Sequence, residues 1–368
     1  MVTRDRDYGG RGFSRFVVHG ATSDLNNGTI CKKSGSISPT IRAIRGDDEL
    51  LLENRGVLPM DVLADIFETI QLKGTFYFRT HFSPPWGTTV ARHARAARFH
   101  CVVQGHCWIW VEGGVPVELS AGDFVLVPSG ASHRLTDEPD RDAPPLETVL
   151  ECAGYRGEAL LALGQGDPAA ATQLVCGHFT FGDGTDHAIL RALPPLIRIR
   201  AAQRANRAWF NEALSLLVKQ VFSNEPGALV AVTRLSEILF IEAIRFAGDD
   251  APELRRLLDG FTDARIGRAI ALVHKQPAHP WTVKELAREV GMSRTRFADR
   301  FHDLIGLAPM TYLTEWRLQR AAVALRTSHR SVAEIAYASG YVSQAAFTRT
   351  FKERFGRSPN AFRKAEND

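Results

Sequence analysis

The sequence predicts a multidomain α+β fold, in which a β-barrel comes first and an all-α region with two helix-turn-helix units comes last. Its 368 residues exceed the length of one typical domain. Short β-type segments separated by glycines occupy residues 75–150. One helical pattern then occurs twice near the end of the chain, over residues 283–306 and 332–356.

Residues 1–59 are rich in Gly, Ser, Arg and Asp and have no sustained periodicity, so we expect a disordered leader. From Met60 the sequence M-D-V-L-A-D-I-F-E-T-I has the pattern of an amphipathic helix. Two interpretations of the leader stay open: translation starts naturally at Met60, or the leader is a genuine flexible tail.

Residues 60–200 are expected to form the β-rich domain. Five segments of five to seven residues are rich in β-branched and aromatic side chains, as the strands of a sandwich or barrel are: F-Y-F-R-T-H-F, F-H-C-V-V, H-C-W-I-W-V, V-P-V-E-L and D-F-V-L-V-P. A further strand is expected over residues 174–181. Trp108 and Trp110 share one strand face, where they either line an apolar ligand pocket or fill the core.

Residues 201–250 predict a helical hairpin, with helices over 209–222 and 228–246. The hairpin either packs on the barrel or pairs with a second chain. The D-D-A-P-E stretch after Gly248 is predicted to be a linker to the last domain, which spans residues 262–368.

The repeated pattern has the features of a helix-turn-helix. The first helix of the pattern repeats after 49 residues: E-L-A at Glu285, Leu286 and Ala287 becomes E-I-A. The second helix repeats after 50 residues, as Phe297 and Phe301 show. The second turn therefore has one extra residue. A glycine in each turn permits positive φ, and a serine after it caps the next helix. The alternative is that these are ordinary amphipathic helices with solvated faces. Two copies with matched turns and caps argue against it.

The second helix of each copy has an aromatic stripe and an opposite face of small, polar and cationic residues, which suits the major groove of DNA. Those faces hold Arg294, Thr295, Ala298 and Asp299 in the first copy, and Gln344, Ala345, Thr348, Arg349 and Lys352 in the second. Residues 281–368 contain 15 Lys or Arg and 9 Asp or Glu, an excess of six, whereas the whole chain has a net charge of +4. Basic charge is therefore concentrated where the motif lies.

Residues 265–363 resemble the DNA-binding domain of AraC-type transcription regulators. The resemblance includes the helix joining the two copies and the closing G-R-S-P-N-A-F-R. It implies that the two reading helices enter major-groove faces about 34 Å apart. Carried over by position, the nine residues named above would face the DNA, with Arg349 pairing with guanine. Thr311, Arg317 and Lys352 would contact phosphates.

The segment G-D-F-V-L-V-P-S-G-A-S-H, residues 122–133, matches the second cupin motif at its Gly, Pro, Gly and His. The segment R-F-H-C-V-V-Q-G-H-C-W is similar to the cupin sensor domains of AraC-type regulators. A cupin jelly roll is therefore expected, with His100, Trp108, Trp110 and His133 as candidate effector-binding residues. His133 fits the last metal-binding position, but His93-Ala94-Arg95 lacks the second histidine of H-x-H, so we expect no metal and no other cofactor.

The resemblance implies a cytoplasmic regulator that binds promoter DNA, responds to a small-molecule effector, forms a homodimer and contacts RNA polymerase if it activates. The five cysteines form no C-x-x-C pair, the N-terminus has no signal sequence, and no apolar run approaches a membrane span. We therefore expect a cytoplasmic protein with no membrane partner, and the incomplete metal motif of the cupin predicts no catalytic residues. Two alternatives stay open: a metal-dependent cupin enzyme fused to DNA-binding helices, and an effector-independent regulator whose cupin is a dimerisation scaffold.

Overall fold

The computed structural model describes residues 61–93, 96–156, 160–182, 184–206, 208–223 and 225–364, with side chains at all of these positions except 76–78, 204–206 and 208. The predicted leader, residues 1–59, lies outside the described residues. None of the helices in the described ranges is both long and apolar enough to cross a bilayer.

The first element is the helix predicted from the M-D-V-L-A-D-I-F-E-T-I pattern. It is α1, Val62–Ile70, and its carboxylate N-cap Asp61 accepts hydrogen bonds from the backbone N–H groups of Leu63 and Ala64. Val62, Ile66 and Ile70 are buried along one side of the helix, which confirms the amphipathic pattern.

The β-rich domain has two sheets. Its strands are β1 Lys73–Phe82, β2 Gly87–Val90, β3 Ala96–Gln104, β4 His106–Val111, β5 Val117–Ser120, β6 Phe124–Val127, β7 His133–Thr136, β8 Leu160–Leu163, β9 Gln173–Thr180 and β10 Ile197–Ile199. One sheet has the order β10-β6-β3-β9-β1-β8 and the other has the order β2-β7-β4-β5. The pair β1–β8 is parallel and the other pairs within the two sheets are antiparallel.

The six-stranded sheet is covered on both faces. Within β6, Val125 and Val127 join the apolar cluster between the sheets, whereas Phe124 and Leu126 join the cluster on the helical side. Because both faces of β6 are buried, the segment D-F-V-L-V-P is almost continuously apolar. The barrel-type fold predicted from the short strands is confirmed, and the strand predicted over residues 174–181 is β9, between β3 and β1.

The helical side is built by the predicted hairpin. Two short helices, α2 Leu146–Cys152 and α3 Ala188–Arg191, precede it, and it consists of α4 Ala208–Val221 and α5 Ala228–Ala247. The hairpin packs on the barrel: the backbone N–H of Gly74 in β1 donates to Glu237 Oε1 in α5 at 3.1 Å. Phe240 of α5 is buried against Phe179 of β9, with ring centroids 4.8 Å apart.

The remaining helices form the C-terminal part. They are α6 Pro252–Thr262, α7 Ile266–Lys275, α8 Val283–Glu289, α9 Arg294–Ile305, α10 Pro309–Thr327, α11 Val332–Ala338, α12 Gln344–Phe355 and α13 Pro359–Lys364. The linker predicted over D-D-A-P-E is shorter than expected: Asp249, Asp250 and Ala251 connect α5 to α6, and Pro252 begins α6. Proline is well tolerated at the first helical position, where no backbone donor is needed.

Candidate functional site

The two turns between paired helices have the geometry that the repeat predicts. Gly291 follows α8 with φ of 65°, and Gly340 follows α11 with φ of 80°, both in the left-handed region that favours glycine. The hydroxyl of Ser293 accepts a hydrogen bond from the backbone N–H of Arg296, and the hydroxyl of Ser343 accepts one from Ala346. The predicted N-caps of α9 and α12 are therefore confirmed.

The aromatic stripes of α9 and α12 hold the two units together. Phe297 and Phe301 are buried in the cluster of the first unit, and Phe347 and Phe351 are buried in the cluster of the second. The rings of Phe347 and Phe351 lie 5.4 Å apart between centroids, close to the 5.7 Å between Phe297 and Phe301. The same side of each helix is thus buried, which leaves the opposite side outward.

The nine residues predicted to face DNA lie on these outward sides. Ala298 and Thr348 are half-buried, and the other seven are exposed: Arg294, Thr295, Asp299, Gln344, Ala345, Arg349 and Lys352. Six residues of α12, the predicted five and Glu353, lie together on one open face of the helix. Contact of each residue with a base remains a prediction.

The arginines of α9 and α12 differ in their internal pairing. Arg294 and Arg349 form no hydrogen bond or ion pair within the described part of the chain, and their guanidinium groups are available to an external partner. In contrast, Arg300 of α9 is paired with Asp263. Arg354 of α12 is paired with Asp186, which precedes α3, at 2.5 Å. Arg294 and Arg349, at the predicted reading positions, are therefore exposed without an internal partner in the described residues.

Arg317, a predicted phosphate contact, forms hydrogen bonds within the protein. Its side chain is half-buried, and its guanidinium donates to the backbone oxygen of Pro277 at 2.6 Å and to that of His279 at 2.8 Å. These bonds tie α10 to the loop before α8. Because two of its three guanidinium nitrogens donate to backbone carbonyls, the structure favours a packing role for Arg317, and its contact with phosphate stays a prediction. Thr311 and Lys352 are exposed, as a phosphate contact requires.

We expect Arg317→Ala to destabilise the C-terminal part by about 1–3 kcal/mol, because two partly buried carbonyls lose their donors. The salt dependence of DNA binding should stay unchanged. Lys352→Ala is the matched comparison: it should leave stability unchanged and lower the slope of log K against log salt by about one. Urea titration and binding at several salt concentrations measure both effects. A reduced salt slope in Arg317→Ala would show that Arg317 contacts a phosphate.

Cross-contacts link the C-terminal helices to the barrel side of the chain. Asp186 pairs with Arg191 at 3.0 Å as well as with Arg354, and Arg191 also reaches Glu315 of α10 at 2.9 Å. Two further bonds connect α1 and the turn after it to the C-terminal helices. His274 Nδ1 lies 3.1 Å from Asp65 Oδ2, and Arg326 Nη2 donates to Gln71 Oε1 at 2.6 Å. The second reading helix is therefore bonded directly to the barrel side.

The interior of the barrel brings His100 and His133 together. Their Nε2 atoms are 2.9 Å apart. His133 Nδ1 lies 3.0 Å from the carbonyl oxygen of Ala131, so this nitrogen carries a proton and donates. Its Nε2 therefore accepts from His100 Nε2–H. His100 Nδ1 is left to accept from the Cys176 thiol, whose Sγ lies 3.1 Å away. One chain of hydrogen bonds thus fixes both tautomers.

Burial keeps the members of this chain neutral. It lowers the pKa of His133 to about 4, with Arg98 adding to the effect against the Ala131 hydrogen bond. Burial first, and then electrostatic repulsion with His133 and Arg98 if the ring were protonated, lower the pKa of His100 well below its usual value. Burial likewise raises the pKa of the Cys176 thiol, followed by the effects of neighbouring Cys107 and Cys101.

The histidine pair is a poor metal site. It offers two nitrogen donors, and Cys176 contacts the other ring nitrogen of His100, so the thiol cannot join both Nε2 atoms on one ion. Within the described residues, no group of three or more His, Cys, Asp or Glu side chains could hold a metal ion. Beside His100 lies a cavity of about 30 Å³, with room for about one water molecule.

Trp108 and Trp110 do not line the interior of the barrel, contrary to the prediction of an effector pocket. Along β4 the buried residues are Cys107, Ile109 and Val111, and the two tryptophans alternate with them on the outer face. The guanidinium of Arg134, opposite Trp110 on β7, lies 4.4 Å from the Trp110 ring centroid. The prediction that the tryptophans line the interior or fill the core is wrong, because the pleat turns them away from it.

The neutral histidines make the stability of the barrel depend on pH. In the unfolded chain a histidine has a pKa near 6.5, so the unfolded state binds protons first as the pH falls. Above about pH 6.5 His133 is neutral in both states and does not reduce stability. As the pH falls from 6.5 to about 4, protonation of this histidine in the unfolded chain lowers the free energy of unfolding by on the order of 3 kcal/mol. Buried His187, with a pKa lowered to about 3, acts in the same direction.

We expect the free energy of unfolding to decrease from pH 7 to pH 5, measured by urea titration with fluorescence detection. His133→Asn should reduce this pH dependence, whereas His329→Asn, at an exposed loop position, should leave it unchanged. Equal pH dependence in wild type and His133→Asn would contradict the role given to burial.

Comparisons with known proteins agree with this geometry. A family model described as Cupin matches residues 61–247, half of the chain, and a model described as Helix-turn-helix domain matches residues 286–365. The chain is 28% identical over 309 residues to the HTH-type transcriptional regulator AlkR of Acinetobacter baylyi, covering 83% of this chain and 99% of AlkR. It is 30% identical over 272 residues to a Streptomyces lividans protein described as an AraC-like transcription regulator, covering 73% of this chain and 87% of that protein.

Several solved structures are similar to the C-terminal part, among them one that contains DNA. The DNA-binding domain of the global transcriptional factor AdpA, in complex with a target DNA, is 34% identical, with 28% of this chain and 92% of that domain covered and a TM-score of 0.27. The two family models and the similarity to whole regulators together identify the chain. It belongs to the AraC-like transcription regulators that carry an N-terminal cupin domain.

Proposed function

We propose that this protein binds promoter DNA in a sequence-specific manner and regulates transcription. The observation that carries the proposal is the pair of outward faces on α9 and α12, each with an arginine free of partners within the described residues. Helices of this kind enter the major groove, where arginine, glutamine and threonine read base edges. The site of action is then the chromosome, in agreement with the predicted cytoplasmic location.

We further propose that a small molecule controls this binding through the cupin domain. The interior of the barrel is apolar, with a few polar groups around His100 and His133, as ligand sites usually are. The cavity there has room for about one water molecule, so a larger effector must first open the barrel. An effector shifts the protein between two arrangements only if it binds one of them better.

The pair formed by Asp186 and Arg354 offers a route between effector and DNA. Arg354 and Arg349 lie on the same helix, α12, five residues apart, so movement of the loop before α3 would displace the reading helix. Local changes at such charged contacts are a common basis of switching. If the protein activates transcription, it contacts RNA polymerase as well.

A homodimer is proposed from the outer surface of the hairpin. Large apolar side chains there are 40–67% exposed: Trp209, Leu216, Phe222, Leu229, Val230 and Ile238. Several exposed apolar side chains on one helical hairpin suit a protein interface. An enzyme is the less favoured function, because the two donor nitrogens of His100 and His133 have no third ligand beside them in the described residues.

Genomic DNA pull-down with the full-length protein, followed by sequencing, tests the main proposal. We expect a discrete enriched sequence motif, and neighbouring genes would point to effectors. Diffuse enrichment without a motif would mean that the C-terminal helices bind only phosphate, and the cupin domain would then be the functional centre.

Thermal unfolding with metabolites of those neighbouring genes tests the effector. A ligand that binds only the folded state at 100 times its Kd stabilises by about 2.7 kcal/mol. If none of them changes stability, the cupin would be a dimerisation scaffold. If the wild-type protein retained a metal through purification and His133→Ala lost it, the metal-dependent enzyme would be supported instead.

A further inference from the structure

The turn between α11 and α12 has one exposed apolar side chain that the proposed DNA contacts do not include. Val342 is 92% exposed, more than the other large hydrophobic residues of the described chain. Leucine, valine and isoleucine side chains elsewhere in the C-terminal helices are buried or half-buried. Burial of an apolar side chain is favourable, so the exposure of Val342 leaves unused a stabilising contact that a partner would supply.

Val342 is the extra residue that distinguishes the second turn from the first. In the first unit, Met292 alone stands between Gly291 and Ser293, and its side chain packs against the core. In the second unit, Tyr341 takes that place: it is half-buried and its ring lies 5.3 Å from Phe347 in an edge-to-face arrangement. Since Tyr341 fills the packing position, Val342 has no packing role and points into solvent.

The position of Val342 places it at the end of α12 that approaches DNA. It directly precedes the N-cap Ser343, and the exposed residues Gln344 and Ala345 follow at the first two helical positions. In helix-turn-helix proteins the N-terminal residues of the recognition helix contact base edges. Val342 therefore lies beside the proposed reading residues and not on a remote surface.

The major groove presents one apolar group to such a side chain, the C5-methyl group of thymine. We propose that Val342 contacts a thymine methyl group in the operator and so specifies a thymine at the base pair facing the N-terminal end of α12. The inference rests on the proposed function and adds a specificity residue to it. The first unit has no counterpart, so this preference belongs to the half-site read by the second unit.

The test is a double-mutant cycle with full-length protein. In vitro selection from random duplex DNA first yields a bound sequence for wild type. Each thymine of that sequence is then replaced by deoxyuridine, which removes only the methyl group. Loss of one methyl contact should weaken wild-type binding roughly fourfold at one thymine of the second half-site. Val342→Ala should bind the thymine and deoxyuridine duplexes equally at that position.

Val115→Ala is the matched control, because Val115 is 74% exposed in the barrel domain. It should retain the full methyl effect of wild type. If the deoxyuridine effects are the same in wild type and Val342→Ala at every position, the proposal is overturned, and a transcription defect with unchanged DNA binding would assign Val342 to RNA polymerase. If wild type selects no sequence at all, the proposed function fails and the inference fails with it.

Discussion

Phe301→Ala is expected to unfold the first helix-turn-helix unit, at a cost of about 3–5 kcal/mol. Phe301 is 1% exposed, and its ring lies 5.7 Å from both Phe297 and Tyr312. Removing it leaves a cavity where α9 meets α10, in a helix that contributes few other buried side chains. Hydrogen exchange of peptides from α8 to α10 measures the effect, since global unfolding of a multidomain chain need not be two-state.

Two controls separate cavity formation from loss of an aromatic ring. Phe301→Leu keeps most of the volume and should preserve much of the protection. Tyr337→Ala removes a ring that is 58% exposed on α11 and should change stability by less than about 0.5 kcal/mol. Full protection of α9 in Phe301→Ala would show that the buried face of the helix is assigned wrongly.

The C-terminal units could be predicted closely because their determinants are local. The glycine and serine of each turn act through backbone φ and capping bonds within three residues, and the aromatic stripes follow helical periodicity. Arg317 shows the limit of this reasoning. Its partners, the carbonyls of Pro277 and His279, are about forty residues away in sequence, and nothing in the local pattern indicates them.

The barrel was harder to predict because the inward face of a strand depends on its neighbours. In β4 the sequence alternates Cys107, Ile109 and Val111 with Trp108 and Trp110, and either set could face inward. A shift of register by one residue exchanges the two faces. Pairing with β7 resolves the choice by placing Arg134 against Trp110 on the outside. His100 and His133 were identified from residue type and motif, but their 2.9 Å contact depends on the packing of the two sheets.

Arg349→Ala is expected to weaken binding to the specific site by about 1–3 kcal/mol, or roughly 5- to 150-fold, and to relax the preference at one base pair. The side chain is exposed on α12 and forms no bond within the described residues, so its removal costs no internal contact. Arginine can donate two hydrogen bonds to O6 and N7 of guanine, and alanine can donate none. We therefore expect selection with the variant to return the wild-type motif with one guanine position degenerate.

Arg234→Ala is the matched control for charge, because Arg234 is 73% exposed on the hairpin helix α5, away from the reading faces. It removes the same charge and should leave both affinity and motif unchanged. A phosphate contact at Arg349 would weaken binding to all sequences alike and lower the salt slope by about one without altering the motif. An unchanged motif in Arg349→Ala would thus contradict base reading, even if affinity fell, because only a base contact makes the loss depend on sequence.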